Sequence, residues 1–314
     1  MKQKITIIGA GAVGAATAFA LLTRGEASEI VLIDINTDKA LGEALDIKQA
    51  TPFLENCDIY AGSYADATNS DMVIITSGVG RKPGQSRLEL VQINVGIVKS
   101  IAEQIVRYAP NALYVMVTNP VDIMTYAFLK YTGLPKNQVF GTGTLLDTVR
   151  LRTRLSEIYH VNKQQVHAHV LGEHGDSSFV AWSSATIASI PIADYCQSVT
   201  VHRMPIAYQR EDIEAYVHRS GGKIIARKGS TVYGVATSCT HIAKMTAGNA
   251  ETAMTVSSLH EGEYGINGVC LSSLSLVDSK GVRSILTQKL SEDELRKMHE
   301  SAAALQAVIR GVEF

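Results

Sequence analysis

The sequence predicts an α/β protein, a doubly wound parallel sheet followed by a second, mixed α+β domain. Through the first half, short apolar runs rich in β-branched residues alternate with helix-length stretches, the pattern of parallel strands joined by crossover helices. After about Gly141 that alternation gives way to a long helix, mixed strands and further helices. The length, 314 residues, allows about two domains at roughly 150 residues each.

The elements follow in order. Strands are expected at 5–8, 30–33, 72–76 and 113–117, each closed by polar or glycine punctuation, with helices at 13–24 and 88–108 between them. Asn119-Pro120 stops the fourth strand where a ligand loop would begin. A long helix is expected at 147–159. The last helix opens with a capping box, Ser291-x-x-Glu294, and Leu295, Met298, Ala302, Leu305 and Ile309 are expected to line its buried face. No Pro/Ser-rich linker separates the halves, so the two domains, 1–141 and 142–314, are expected to share an interface.

Composition excludes several classes. Twenty-nine basic against thirty acidic residues leave a net charge of −1, without the basic excess that nucleic-acid phosphates demand. Hydrophobic content of 46% and charged content of 19% exclude disorder. The stretch 5–22 is uncharged and follows Lys2 and Lys4, superficially like an export signal or membrane span. Gly9, Gly11 and Gly14 break it, and a strand plus an Ala-rich helix explains it better. Neither membrane partner nor nucleic acid is expected. Cys57, Cys196, Cys239 and Cys270 lie far apart with no CxxC pair, so they read as buried thiols of a reducing, cytoplasmic compartment, and no metal site is expected.

Gly9-Ala10-Gly11-Ala12-Val13-Gly14 follows a strand and opens a helix. The first glycine permits the tight turn, the second lets backbone approach a pyrophosphate, and the third allows close helix–strand packing at a helix N-terminus that favours the anion. Asp34 ends the next strand twenty residues past Gly14, where a carboxylate accepts from both ribose hydroxyls and repels a 2′-phosphate. Gly9, Gly11, Val13, Gly14 and Asp34 therefore predict a Rossmann domain holding NAD in preference to NADP. Flavins use the same fingerprint, so this motif leaves the alternative open.

Four further segments carry a resemblance. Leu171-Gly172-Glu173-His174-Gly175-Asp176-Ser177, the stretch 141–150 from Gly141 to Arg150, the stretch 81–87 from Arg81 to Arg87, and Thr118-Asn119-Pro120 together resemble the L-lactate/malate dehydrogenase family over essentially the whole chain. The resemblance implies that His174 is the proton donor and Asp147 its carboxylate partner. Reducing a ketone by hydride leaves an alkoxide that an acid must protonate, and a neighbouring carboxylate keeps the histidine charged near neutral pH. It implies that Arg150 clamps the substrate's 1-carboxylate with two parallel hydrogen bonds, that Arg87 polarises the carbonyl, and that Asn119 bonds the same oxygen or the cofactor. The second domain becomes a substrate domain, and the 78–87 stretch a loop closing over substrate.

On substrate the resemblance divides. Arg81 stands where malate-acting members carry arginine and lactate-acting members usually carry glutamine, and Gln85 replaces a lactate-type glutamate. Arg81 would meet the second carboxylate of oxaloacetate, a charge-assisted contact of about 1.5–3 kcal/mol, roughly 10- to 150-fold in discrimination. The 172–177 segment and Thr231 look lactate-type. Because Arg81 would touch the varying group directly, malate/oxaloacetate is the first expectation and lactate/pyruvate the alternative. Arg152 and His167 match positions through which bacterial lactate-type members bind fructose 1,6-bisphosphate, or else are a surface pair. The family also implies a homotetramer or a dimer. A catalytically silent NAD-binding protein would be expected to lack His174, Asp147 or Arg150, and all three are present. A short-chain reductase would need a Tyr-x-x-x-Lys pair in context, and Tyr126 with Lys130 has no matching serine context.

Overall fold

The computed structural model describes residues 3–80, 84, 86–198 and 209–314, leaving out the side chain of Arg87. The chain runs β1 (Gln3–Ile8), α1 (Ala12–Thr23), β2 (Ala27–Ile33), α2 (Thr37–Lys48), β3 (Asp58–Ala61), β4 (Met72–Ile75), α3 (Arg87–Ile105), β5 (Leu113–Met116), α4 (Val121–Thr132) and β6 (Val139–Gly141). The six strands pair in parallel in the order β3-β2-β1-β4-β5-β6, which reverses direction beside β1 and opens a crevice at the strands' carboxyl ends. β3 is an edge strand with only Ile59 of its four residues fully buried, and β6 has three residues, so neither stands out in the sequence as an apolar run.

Strand periodicity explains why the apolar runs are nearly continuous. Ile5 and Ile7 pack with Met72, Ile74, Leu113 and Val115 on one face, under Leu21 and Leu22 of α1 and Ala44 and Ile47 of α2. Ile8, Val73, Ile75, Tyr114 and Met116 turn to the other face, under Val91, Val95, Val98 and Ile105 of α3 and the apolar side of α4.

The second half comprises α5 (Leu145–Tyr159), the two-residue strands β7 (Val166–His167), β8 (Val170–Leu171), β9 (Phe179–Val180), β10 (Thr186–Ile187) and β11 (Ile190–Pro191), then α6 (Ile192–Ser198), α7 (Arg210–Lys228), α8 (Tyr233–Thr246), β12 (Thr252–Glu261), β13 (Asn267–Asp278), β14 (Gly281–Ile285) and α9 (Glu292–Arg310). β12 pairs antiparallel with β6, through Ser257 opposite Gly141, so β12, β13 and β14 extend the first sheet to nine strands. α8 returns to the first half, where Cys239, Ile242 and Ala243 join the core under α1.

Two expectations need correction. In α9 the capping box forms, but Leu295 is 39% exposed and Glu294 is 5% exposed. The buried face runs through Glu294, Met298, Ser301, Ala302 and Leu305, and Glu294 is drawn inward because it accepts from the Ser183 backbone N–H at 2.9 Å. Cys196 is exposed, whereas Cys57, Cys239 and Cys270 are buried. No described helix is long and apolar enough to cross a membrane.

Candidate active site

The cofactor cleft is built by the glycine turn. Gly9 has φ +109°, a conformation that favours glycine, and a Cβ on Gly14 would come within 1.8 Å of the Gly9 carbonyl oxygen. A Cβ on Gly11 would meet nothing within 4 Å, so that backbone faces open space at the N-terminus of α1. Asp34 fastens the turn: its Oδ2 accepts the Ala10 N–H at 2.7 Å and its Oδ1 the Asn36 N–H at 2.9 Å. The adjoining cavity, about 570 Å³, is lined by Gly9, Gly11, Asp34, Ile35, Ser77 and Val79, among others. Open backbone at a helix N-terminus suits a pyrophosphate, Asp34 suits a ribose diol, and the fully exposed Ile35 offers apolar surface to a base. These residues fit NAD. Val13, in the first turn of α1 at the same helix N-terminus, is half-buried and packs its side chain against the core. Replacing Asp34 with serine is expected to raise the NADPH/NADH ratio of kcat/KM about tenfold or more, by removing the charge that repels a 2′-phosphate; an unchanged ratio in initial-rate assays overturns that role.

The chemical centre lies where α4, α5 and the loop after β8 meet. Asp147 and Arg150 are three residues apart on α5 and so share one face. Asp147 Oδ1 accepts from Arg150 Nη1 at 2.7 Å, and its Oδ2 lies 2.6 Å from His174 Nδ1. A carboxylate only accepts, so Nδ1 carries the proton and Nε2 is left for a reacting group. Burial opposes charge on both partners, but the pair outweighs it: Asp147, facing His174 and Arg150, is held below the ordinary carboxylate range, and His174, facing Asp147, is raised above the ordinary histidine value. A Cβ on Gly221 of α7 would sit 3.8 Å from Arg150 Nη2, so the missing side chain leaves room beside the guanidinium.

The loop that carries His174 is held from several sides. Gly172, at φ +93°, exchanges backbone hydrogen bonds with Ser272 of β13 at 2.9 and 3.1 Å, and the Glu173 N–H donates to Ser301 Oγ of α9 at 2.6 Å. The His174 N–H donates to Asp122 Oδ2 of α4 at 2.8 Å. Asn119 stands exposed at the end of β5, joined to Pro120 by a cis peptide bond. Asn94, 1% exposed in α3, accepts the Val79 N–H at 2.9 Å and donates to the Asn119 carbonyl at 2.8 Å, joining the loops after β4 and β5. Sequence reasoning missed Asn94 and Asp122. The available signal was a polar residue on an apolar helix face for Asn94, between Val91, Val95 and Val98, and an acid inside the apolar run 121–124 for Asp122.

Other expected residues lie apart or beyond view. Arg81, Gln85 and the side chain of Arg87 are outside the described residues. Thr231 is half-buried between α7 and α8. Arg152 donates to the Ala168 carbonyl at 3.0 Å and lies 2.9 Å from His169 Nε2, facing a groove of about 510 Å³ between α5 and α8. His167 stands exposed on β7, opposite Thr186, and no hydrogen bond joins it to Arg152.

A dinucleotide crevice beside a carboxylate-supported histidine and an arginine defines a nicotinamide-dependent oxidoreductase acting on a CH–OH donor. Residues 3–141 match the lactate/malate dehydrogenase NAD-binding domain, and residues 144–314 match the lactate/malate dehydrogenase alpha/beta C-terminal domain. The chain belongs to the lactate/malate dehydrogenase family, its cofactor is NAD, and it is of the 2-hydroxy-acid dehydrogenase class. It is 44% identical, over 99% of its length and 98% of the relative's, to an L-lactate dehydrogenase of Clostridium perfringens strain 13, and 42% identical, with the same coverage, to one of Acetivibrio thermocellus. Among solved structures it is similar to a minor L-lactate dehydrogenase from Enterococcus mundtii, with TM-score 0.94, 37% identity, and coverage of 100% of this chain and 99% of that one. It is also similar to a lactate dehydrogenase enzyme from a Medee basin deep-sea metagenome library, with TM-score 0.94, 34% identity and 98% coverage of both chains.

Proposed function

We propose that the chain interconverts pyruvate and L-lactate. The observation that carries this reading is the 40–44% identity, over 99% of the chain, to curated relatives named L-lactate dehydrogenase. Thr231, at a position where malate enzymes more often have a smaller residue, agrees with it. The relatives thus favour lactate over the malate that Arg81 led us to expect. Oxaloacetate/malate stays the second reading because Arg81 offers a cation to a second carboxylate, where pyruvate has only a methyl group.

Bound in the crevice, NADH supplies the hydride. Arg150 holds the substrate's 1-carboxylate in the plane of its guanidinium, with Asp147 bracing the other edge of that group. His174 Nε2 delivers a proton to the carbonyl oxygen, and Asp147 stabilises the imidazolium that supplies it. Arg87 and Asn119 take the polarising and orienting roles at that oxygen. In the oxidative direction neutral His174 accepts the hydroxyl proton. The state of assembly we propose is a homotetramer or dimer, in the cytoplasm, with Arg152 and His167 as the candidate contacts for fructose 1,6-bisphosphate.

Initial rates of NADH oxidation with pyruvate and with oxaloacetate, each with and without fructose 1,6-bisphosphate, test the reading. Pyruvate is expected to give the higher kcat/KM; a higher value for oxaloacetate overturns the assignment and installs malate. Arg81→Gln is expected to raise the pyruvate/oxaloacetate ratio about 10- to 150-fold, the worth of one charge-assisted contact. An unchanged ratio means that Arg81 does not read the substrate.

A further inference from the structure

Beneath His174 lies a second carboxylate. Asp122 sits in the first turn of α4, two residues after Pro120, and is 2% exposed. Acidic residues in a helix's first turn ordinarily complement that helix's own N–H groups. Asp122 instead reaches across 52 residues to accept the backbone N–H of His174 through Oδ2. Its Oδ1 makes no well-formed hydrogen bond, and neither does the buried hydroxyl of Ser257 in β12. Asparagine at this position would accept the same N–H through its amide oxygen and carry no charge. The hydrogen bond alone therefore does not account for an acid here, since a buried carboxylate costs more than a buried amide.

We infer that Asp122 is a positioning residue for proton transfer: it fixes the backbone of His174 against Asp147, and its negative charge supports the imidazolium from below. The inference rests on the reading of His174 as proton donor. The groups around the pair are consistent with it. His174 and Glu173 face Asp122 from the loop after β8, Cys270 faces it from β13, and Asp147 and Arg150 of α5 face the imidazole. Burial raises the Asp122 carboxyl to about 6, with Glu173 adding to the rise and Ser257 and His174 opposing it. Asp122 is accordingly charged above that pH and neutral below it. Burial and the Asp122 charge together keep the Cys270 thiol well above its ordinary value, so it stays protonated. The support for His174 is therefore complete on the alkaline side, where the imidazolium most needs it to persist.

The test is Asp122→Asn in the full-length enzyme, with kcat/KM for reduction of the preferred 2-oxo acid measured from pH 5 to 10 alongside NADH binding. NADH affinity is expected to stay unchanged, while the alkaline limb of the profile moves to lower pH by about 0.5–1 unit, the effect of one nearby charge. A limb that does not move, whether or not kcat falls, overturns the inference and leaves Asp122 as a fastener. Should the variant fail to fold, the His174 ring nitrogens of the unaltered protein can be titrated by 15N NMR. Two coupled steps, one near pH 6 from Asp122, are expected there, and a single step overturns the inference. His174→Gln in the same assay tests the premise separately: an alkaline limb that survives in that variant refutes the proton-donor reading instead.

Discussion

His174→Gln lowers kcat for reduction of the 2-oxo acid by about 10²–10⁴-fold, the usual worth of a positioned general acid. Glutamine occupies similar space and has an N–H to offer, but it cannot give up a proton as the alkoxide forms. The crevice is formed by the glycine turn and Asp34, in the other half of the chain, so quenching of protein fluorescence by NADH should give the same Kd as the parent. The pH profile adds a second readout. Because facing Asp147 outweighs burial and raises His174, reduction in the parent is full at low pH and declines as pH climbs through the raised value. Oxidation, which needs the neutral ring, gains over the same interval. The variant should lose both trends. A loss of less than tenfold, with the profile intact, means that another group supplies the proton.

Arg150→Gln acts mainly on KM for the oxo acid. The guanidinium holds Asp147 through Nη1, and Gly221 of α7 puts no side chain beside it. Removing one member of a partly buried, hydrogen-bonded charge pair costs about 2–5 kcal/mol, so kcat/KM should fall roughly 30- to several-thousand-fold. Some of that loss comes through Asp147, which also loses a partner. NADH affinity separates this effect from misfolding, since the cofactor cleft does not touch Arg150. An oxo-acid KM within threefold of the parent's rules out the clamp.

What the sequence revealed, and what it hid, follows from how each signal is encoded. The 9–14 turn and Asp34 were legible because backbone geometry demands glycine at Gly9 and Gly14, and a strand end places the acid. The strands around β1 were legible because both faces of a parallel sheet are buried, and their apolar runs are therefore unbroken. β3 was missed because it lies at the sheet's edge with only Ile59 fully buried, so it carries no unbroken apolar run, and β6 because three residues carry too little pattern. Leu295 was assigned to the wrong side of α9 because Glu294 is pulled inward by Ser183, a tertiary contact that helical periodicity does not contain. His174, Asp147 and Arg150 were singled out by resemblance alone. Their joint hydrogen bonding depends on β8 and α5 being neighbours, which no local pattern states. Asn94 and Asp122 were hidden for the same reason, each a polar residue whose partners come from distant loops.

The antiparallel pairing of β12 with β6 welds the two halves into one beam. Severing the chain between them would strip a neighbour from β6 and uncover the face of α1 on which α8 rests, so each fragment would present sticky, unsatisfied surface. The distance from the glycine turn to the histidine is thus built in when the polypeptide folds. Ligands arrive at a span already set, and do not have to draw two loosely tethered lobes together.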